Sequence, residues 1–208
     1  MAIKSIGDLF IISAPSGAGK TSLVRALVKT IPDLEVSISH TTRPCRANEK
    51  NGIDYHFVDK PTFETLLAKQ TFLEHALVFG NYYGTSRTWV EGTLNAGKDV
   101  LLEIDWQGAQ QVCAVFPTAI SIFIFPPSTK VLGQRLATRK RDDVGEIKHR
   151  LQEARNEMTH WLEFDYLVCN EDFDTALHDL MSIVHANRLR KRRQKIALRS
   201  LIKKLQKE

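Results

Sequence analysis

Residues Ser13-Ala-Pro-Ser-Gly-Ala-Gly-Lys-Thr21 form a glycine-rich turn that ends in a cation and a hydroxyl. The apolar run Leu9–Ile12 precedes this turn, and Ser22–Val28, with helical spacing, follows it. Strand, tight turn and helix together are the setting in which backbone N–H groups ring a polyphosphate at the positive end of a helix dipole. Gly17 and Gly19 let the backbone come close, Lys20 would reach the outer phosphates, and the Thr21 hydroxyl would ligate Mg²⁺. The candidate phosphate loop is therefore Ala14, Pro15, Ser16, Gly17, Ala18, Gly19, Lys20 and Thr21. The pattern G-x-x-x-x-G-K-[ST] is met except at its first position, which is Ala14, so the assignment leans on the flanking elements.

A second concentration of reactive side chains lies between Ser39 and Thr88. His40-Thr-Thr-Arg-Pro-Cys-Arg46 sets Arg43 and Arg46 near each other in a loop, and Tyr55 follows the turn signal Asn51-Gly52. Two guanidinium forks with tyrosine hydroxyls suit a phosphate monoester, whose oxygens they bind bidentately. Two solvated surface arginines are the plainer alternative. Glu74 sits within Phe72-Leu-Glu-His75, and Gly80–Thr85 adds an aromatic glycine turn. Glu74 reads either as an exposed strand position or as an acceptor of N–H donors from a purine edge. Only guanine offers paired N1–H and N2–H₂ donors to one carboxylate, so the second reading selects a base as well as a phosphate.

Leu101-Leu-Glu-Ile-Asp105 resembles the acid-tipped strand that stands beside a phosphate loop and helps to hold a hydrated metal; a strand ending in an exposed Asp is the alternative. Arg135 and Arg139 stand four apart on one helical face. With Arg141 and Arg150 they crowd a segment, about 137–149, whose mixed charges and Gly145 read as a lid. Such arginines suit the charge spread over a transferring phosphoryl group, or simply a solvated basic helix.

Something must position these residues. Strand-like apolar stretches at Leu9–Ser13, Val36–Ser39, Val100–Ile104, Ile120–Phe125 and Tyr166–Cys169 alternate with helical patterns at Thr21–Lys29, Trp106–Val115, Thr129–Arg139, Glu146–Met158 and Phe173–Arg193. That alternation predicts an α/β fold, a parallel sheet flanked by helices. Between Ser39 and Thr88 the pattern changes to short strand-like pieces at Tyr55–Val58 and Phe72–Val78 with a short helix after Pro61, which predicts a small α+β insertion. The 208 residues suffice for a buried core without disulfides or metals. Cys45, Cys113 and Cys169 are odd in number and far apart, so they read as free thiols, and no zinc-site spacing is present. No segment has the length or flanks of a membrane span or a secretion signal, and the expected location is the cytoplasm. The net charge of +5 is uneven: His185–Glu208 carries ten Lys/Arg against one acid, so the body before it is net acidic. Leu198, Leu201, Ile202 and Leu205 fall at i, i+3, i+4 and i+7, a helical stripe that reads as packing on the chain itself or on a second copy. The tail has no aromatic residue to stack bases and no second membrane anchor, so neither a specific nucleic acid nor a membrane is expected as partner.

Together the segments resemble the guanylate kinase family, over roughly Leu9 to Asn187. The resemblance rests on Ser13–Thr21, Ser39–Arg46, Asn51-Gly-Ile-Asp-Tyr55, Phe72-Leu-Glu74, Gly80–Thr85 and Ile104-Asp-Trp-Gln-Gly108. It implies a P-loop NTPase-type sheet with core 1–38 and 89–187, a GMP-binding insertion 39–88, a helical lid and a basic C-terminal helix 188–208. By the same resemblance Ser39, Glu74, Thr85 and Asp105 contact the guanine, and Arg43, Arg46, Tyr55 and Tyr83 hold the GMP phosphate. Lys20, Arg135, Arg139 and Arg150 surround the γ-phosphoryl group, Asn170 lies near the ATP adenosine, and Glu103 reaches Mg²⁺ through water. Three positions depart from the family pattern: Ala14 for glycine, Glu103 where Asp is frequent, and Lys140 where glycine is frequent. The implied reaction is phosphoryl transfer from ATP to GMP with Mg²⁺. A kinase for another phosphate ester and a non-catalytic binding module are the competing readings; the guanine set speaks against the first, and Lys20, Thr21 and the lid arginines against the second.

Overall fold

The computed structural model describes residues 6–78, 80–139 and 144–207, without the side chains of 138–139 and 144–148. Lys140 and Arg141 lie outside the described residues, and so does the middle of the lid segment.

β1 (Leu9–Ser13) is buried along its whole length, as a central parallel strand covered on both faces must be. It is flanked by β7 (Asp99–Glu103) and β8 (Ile120–Phe125), and β2 (Leu34–Val36) and β9 (Tyr166–Cys169) complete a sheet ordered β2-β7-β1-β8-β9. All four pairings are parallel. On one face α1 (Lys20–Thr30) and α7 (Phe173–Arg188) contribute Leu23, Leu27, Leu180 and Val184 to the core. On the other, α3 (Arg87–Asn95) and α4 (Trp106–Val115) contribute Val90, Leu94 and Val112. The chain leaves β1 between two neighbours whose connections run to opposite sides, so the cleft at the carboxyl ends of the strands falls beside the glycine-rich turn.

A second sheet, ordered β4-β3-β6-β5, is built from β3 (His40–Thr41), β4 (His56–Phe57), β5 (Phe72–Val78) and β6 (Asn81–Ser86). α2 (Lys60–Ala68), started by the Asp59 cap and Pro61, covers its rear through Phe63, which stacks on Phe72 and Tyr82. The alternation of β6 sends Tyr83 and Thr85 to the opposite face from Tyr82 and Gly84, and that face looks into the cleft. α5 (Thr129–Arg139) and α6 (Val144–Met158) pack on each other through Leu132, Leu136 and Ala154.

Three expectations change. The strand expected at Val36–Ser39 is Leu34–Val36, because its partners are Asp99 to Leu101, and the chain leaves the sheet at Ser37. Gly80–Thr85, expected as a turn, is mostly the strand β6, and α3 forms where no helix is expected. The helix expected to run from Phe173 to Arg193 ends at Arg188, and the tail continues as α8 (Lys191–Ala197) and α9 (Arg199–Leu205). The break lets arginines turn to two carboxylates at the rear of the sheet: Arg188 and Arg193 donate to the fully buried Asp99, and Arg192 and Arg193 donate to Asp8. Asp99 needs such partners, since an unpaired buried charge is strongly destabilising. The stripe of Leu198, Leu201, Ile202 and Leu205 stays 40–61% exposed, so it does not pack on the described body of the chain.

Candidate active site

Where β1 ends, Gly17 and Gly19 adopt φ values of 92° and 97°, a region closed to side chains. A Cβ on Gly17 would press on Leu132 and Leu136, so α5 supports the turn from behind. Gly19 caps α1 without a side chain, which leaves the first N–H groups of the helix to an anion. Lys20 Nζ donates to the Ile104 carbonyl at 3.1 Å, and Thr21 Oγ1 donates to Glu103 Oε1 at 2.5 Å. A hydroxyl and a carboxylate so paired at the mouth of a phosphate loop are the hard oxygen donors that Mg²⁺ prefers.

The turn is braced by residues distant in sequence. The buried Asn170 amide donates to the Ala18 carbonyl at 2.6 Å, and Arg135 donates to the same carbonyl at 3.3 Å. Arg150 donates to Ser16 Oγ at 3.3 Å, and the Ser16 N–H donates to Glu157 at 3.1 Å. Burial pushes the Glu157 carboxyl up, against the pull of the Ser16 N–H and Lys20. Arg139 ends α5 and its side chain lies outside those described.

Across the cleft Glu74 is buried, accepts a hydrogen bond from Thr85 Oγ1 at 2.5 Å, and faces Asp105. Burial, reinforced by the Asp105 charge, raises its pKa to about 7. Ser39 Oγ lies 3.5 Å from Thr85 Oγ1, so hydroxyls and carboxylates form one patch. Asp105 also caps α4, accepting from the Gly108 N–H at 2.8 Å, which fixes its position by secondary structure rather than by a loop.

Arg43 and Arg46 meet at Glu49. Arg43 donates to both carboxylate oxygens at 2.7 and 2.9 Å, and the Arg46 N–H donates at 2.9 Å. Arg43 is largely buried and packs against the Tyr55 ring, 5.4 Å from its centroid, whereas the Arg46 side chain is 63% exposed. Burial, with Glu103 and Tyr83 nearby, pushes the Tyr55 hydroxyl up to about 12, so it stays a donor at neutral pH. Tyr83 meets Tyr55 edge to face.

One cleft of about 1490 Å³ joins these groups. Lys20, Thr21, Ser39, Arg43, Arg46, Tyr55, Glu74, Tyr83, Glu103, Asp105 and Arg150 line it; Thr85, Arg135 and Asn170 are not among its lining residues. Glu49 and Glu157 are site residues not anticipated from the sequence, and Gly108 falls in a motif that does not show its role. A Cβ on Gly108 would stand 2.7 Å from Glu74 Oε2 and force the carboxylate to shift, so glycine lets α4 approach Glu74 where it now stands. Glu49 could have been found from its spacing of three after Arg46; Glu157 pairs across 141 residues and leaves no local signal.

A parallel P-loop sheet and an inserted mixed sheet, facing each other across one cleft lined by carboxylates and arginines, have the architecture of a nucleoside monophosphate kinase. Residues 7–187 match the family described as Guanylate kinase. The guanylate kinase of Coxiella burnetii is 52% identical over 95% of this chain and 96% of its own length, and that of Hahella chejuensis 58% identical over 88% of each. The crystal structure of guanylate kinase from Anaplasma phagocytophilum superposes with a TM-score of 0.78 at 34% identity, covering 91% of this chain and 90% of that one. The chain belongs to the guanylate kinase family, transferases that phosphorylate GMP with ATP.

Proposed function

We propose that the chain transfers the γ-phosphoryl group of ATP to GMP, and more weakly to dGMP, giving ADP and GDP. The observation that carries this reading is the buried Glu74 facing Asp105 in the same cleft as Lys20 and Arg43. ATP occupies the core, 1–38 and 89–187, with its phosphates on the turn from Ala14 to Thr21 and its adenosine near Asn170. GMP occupies the insertion, 39–88. Glu74 and Asp105 accept from the guanine N–H groups while Ser39 and Thr85 complete the edge, and Arg43, Arg46, Tyr55 and Tyr83 hold the monophosphate.

With both substrates aligned, an oxygen of the GMP phosphate faces the γ-phosphorus, and direct attack needs no covalent enzyme intermediate. Lys20, Arg135, Arg139 and Arg150 neutralise the charge that spreads over the transferring group. Thr21 and, through water, Glu103 would hold Mg²⁺, which would add to the neutralisation of the phosphate oxygens. Closure of the lid, about 137–149, and of the insertion excludes water and suppresses ATP hydrolysis. Arg25 on α1 already reaches Asp54 of the insertion at 2.7 Å, a contact that favours approach of the two units. Among the described residues no helix is long and apolar enough to cross a membrane. The three free thiols suit a reducing compartment such as the cytoplasm. The exposed stripe of α9 makes a second copy of the chain the partner to look for.

Nucleotide choice tests the assignment. With ATP and Mg²⁺ in a coupled ADP-formation assay, kcat/KM for GMP exceeds that for AMP by about 10²-fold or more, because adenine leaves both carboxylates without donors. Equal turnover of AMP contradicts the reading.

The pKa of Glu74 adds a pH dependence with a definite sign. The acceptor form is the carboxylate, which is lost as pH falls through about 7. GMP binding therefore tightens as pH rises, by about fourfold between about pH 6.5 and pH 8 for one group titrating there. Calorimetric Kd values across that range check it, and a flat profile removes Glu74 as acceptor.

A further inference from the structure

We propose that Gln111 is a positioning residue for guanine recognition: its side-chain amide grips the free edge of β5 at His75 and so fixes the adjacent Glu74 against α4. The inference rests on the reading of Glu74 as the acceptor of guanine N–H groups.

β5 is the edge strand of the insertion sheet, with β6 on one side only. The N–H and C=O of His75 meet Gln111 instead of another strand: the His75 N–H donates to Gln111 Oε1 at 3.1 Å, and Gln111 Nε2 donates to the His75 carbonyl at 2.8 Å. A primary amide carries donor and acceptor side by side, so it imitates the peptide of a neighbouring strand. The location matters because the β5–β6 register shifts between Phe72 and Glu74. An irregular ladder holds the direction of Glu74 less firmly than a regular one, and bulges of this kind re-aim side chains.

α4 supplies what the ladder lacks. Asp105, Gly108 and Gln111 recur at intervals of three, on one side of the helix. Asp105 faces Glu74, Gly108 permits the close approach to Glu74 Oε2, and Gln111 clamps the next residue of the strand. Asp105 and Glu74 must act as a pair on one base edge, and a displacement of order 1 Å between them costs recognition. His75 is exposed, so water can take over its N–H and C=O when the amide is removed. Loss of Gln111 therefore changes where Glu74 points more than it changes stability.

The test uses the full chain with Gln111→Met, similar in length but without donor or acceptor, beside wild type and Glu74→Gln. Inosine monophosphate, which lacks the exocyclic amine of guanine, serves as the second acceptor substrate. We expect KM for GMP to rise about fivefold, kcat at saturation to stay within about twofold, and the GMP to inosine monophosphate ratio of kcat/KM to fall about threefold. ATP affinity and Tm stay as in wild type. Unchanged KM and ratio overturn the proposal, and so does a parallel loss of Tm and kcat with the ratio intact, which marks a purely structural role. If Gln111→Met does not fold, Gln111→Glu, which keeps the acceptor for the His75 N–H and loses the donor, is held to the same criteria. Wild-type GMP affinity in Glu74→Gln overturns the guanine-site reading itself, whereas a defect in Glu74→Gln with none in Gln111→Met overturns the clamp alone.

Discussion

Lys20→Ala is expected to lower kcat by about 10³-fold or more while leaving GMP bound, the larger of two separable losses in this cleft. Lys20 follows the Gly19 cap of α1 and is held toward the cleft by the Ile104 carbonyl at 3.1 Å. Its ammonium is fixed before ATP arrives, so little reorganisation is needed when the phosphoryl group moves to the acceptor and negative charge builds on the β,γ-bridging oxygen. A 10³-fold loss corresponds to about 4 kcal/mol of transition-state stabilisation, within the range for a cation contacting the transferring group. Steady-state kinetics with calorimetric GMP titration checks this. Retained kcat would place the phosphate chemistry elsewhere, and equal loss of GMP binding would mean that the two sites are not separate.

Arg43→Ala divides the losses the other way. Arg43 is largely buried and held by Glu49 and the Tyr55 ring, whereas Arg46 is mostly exposed. Hydrogen bonds from Arg43 and the Arg46 N–H overcome the effect of burial and hold the Glu49 carboxyl below the usual range, so Glu49 stays charged beside the two arginines. On the proposed assignment, removing Arg43 would take away a fork for the GMP phosphate and leave the Glu49 carboxylate to face a dianion. We expect Kd for GMP to rise about 10²-fold, near 2.7 kcal/mol, with ATP affinity unchanged. Calorimetry with each nucleotide decides it; wild-type GMP affinity in the variant would show that Arg43 is not the phosphate ligand.

The core was legible because its strands are buried on both faces. Leu9-Phe-Ile-Ile is an unbroken apolar run and Ile120–Phe125 is interrupted only by Ser121, and a parallel strand between helices gives that signal. The phosphate turn was legible because its chemistry is local: every donor lies within a few residues. The β6 strand was hidden by Gly80 and Gly84, which read as turn residues, although Gly84 is needed where Phe72 and Phe63 crowd the rear of the sheet. α3 was hidden by Gly92 and by its shortness, with only the Ser86 cap to announce it. The tail periodicity gave the apolar stripe correctly but not the break after Arg188, since Asp8 and Asp99 attract those arginines from across the chain. In the site, residue types and spacing pointed to Lys20, Arg43 and Glu74. What joins them, through Glu49, Gly108 and Glu157, comes from close approach and from pairs distant in sequence, which no local period encodes.

The central claim is that one cleft moves a phosphoryl group from ATP to GMP. Incubation with ATP labelled at the γ-phosphate and unlabelled GMP, followed by separation of the nucleotides, tests it most directly. The label is expected in the β-phosphate of GDP in step with ADP formation, with no labelled protein and little labelled inorganic phosphate. Label released mainly as inorganic phosphate, or ADP formation that does not depend on GMP, would contradict it.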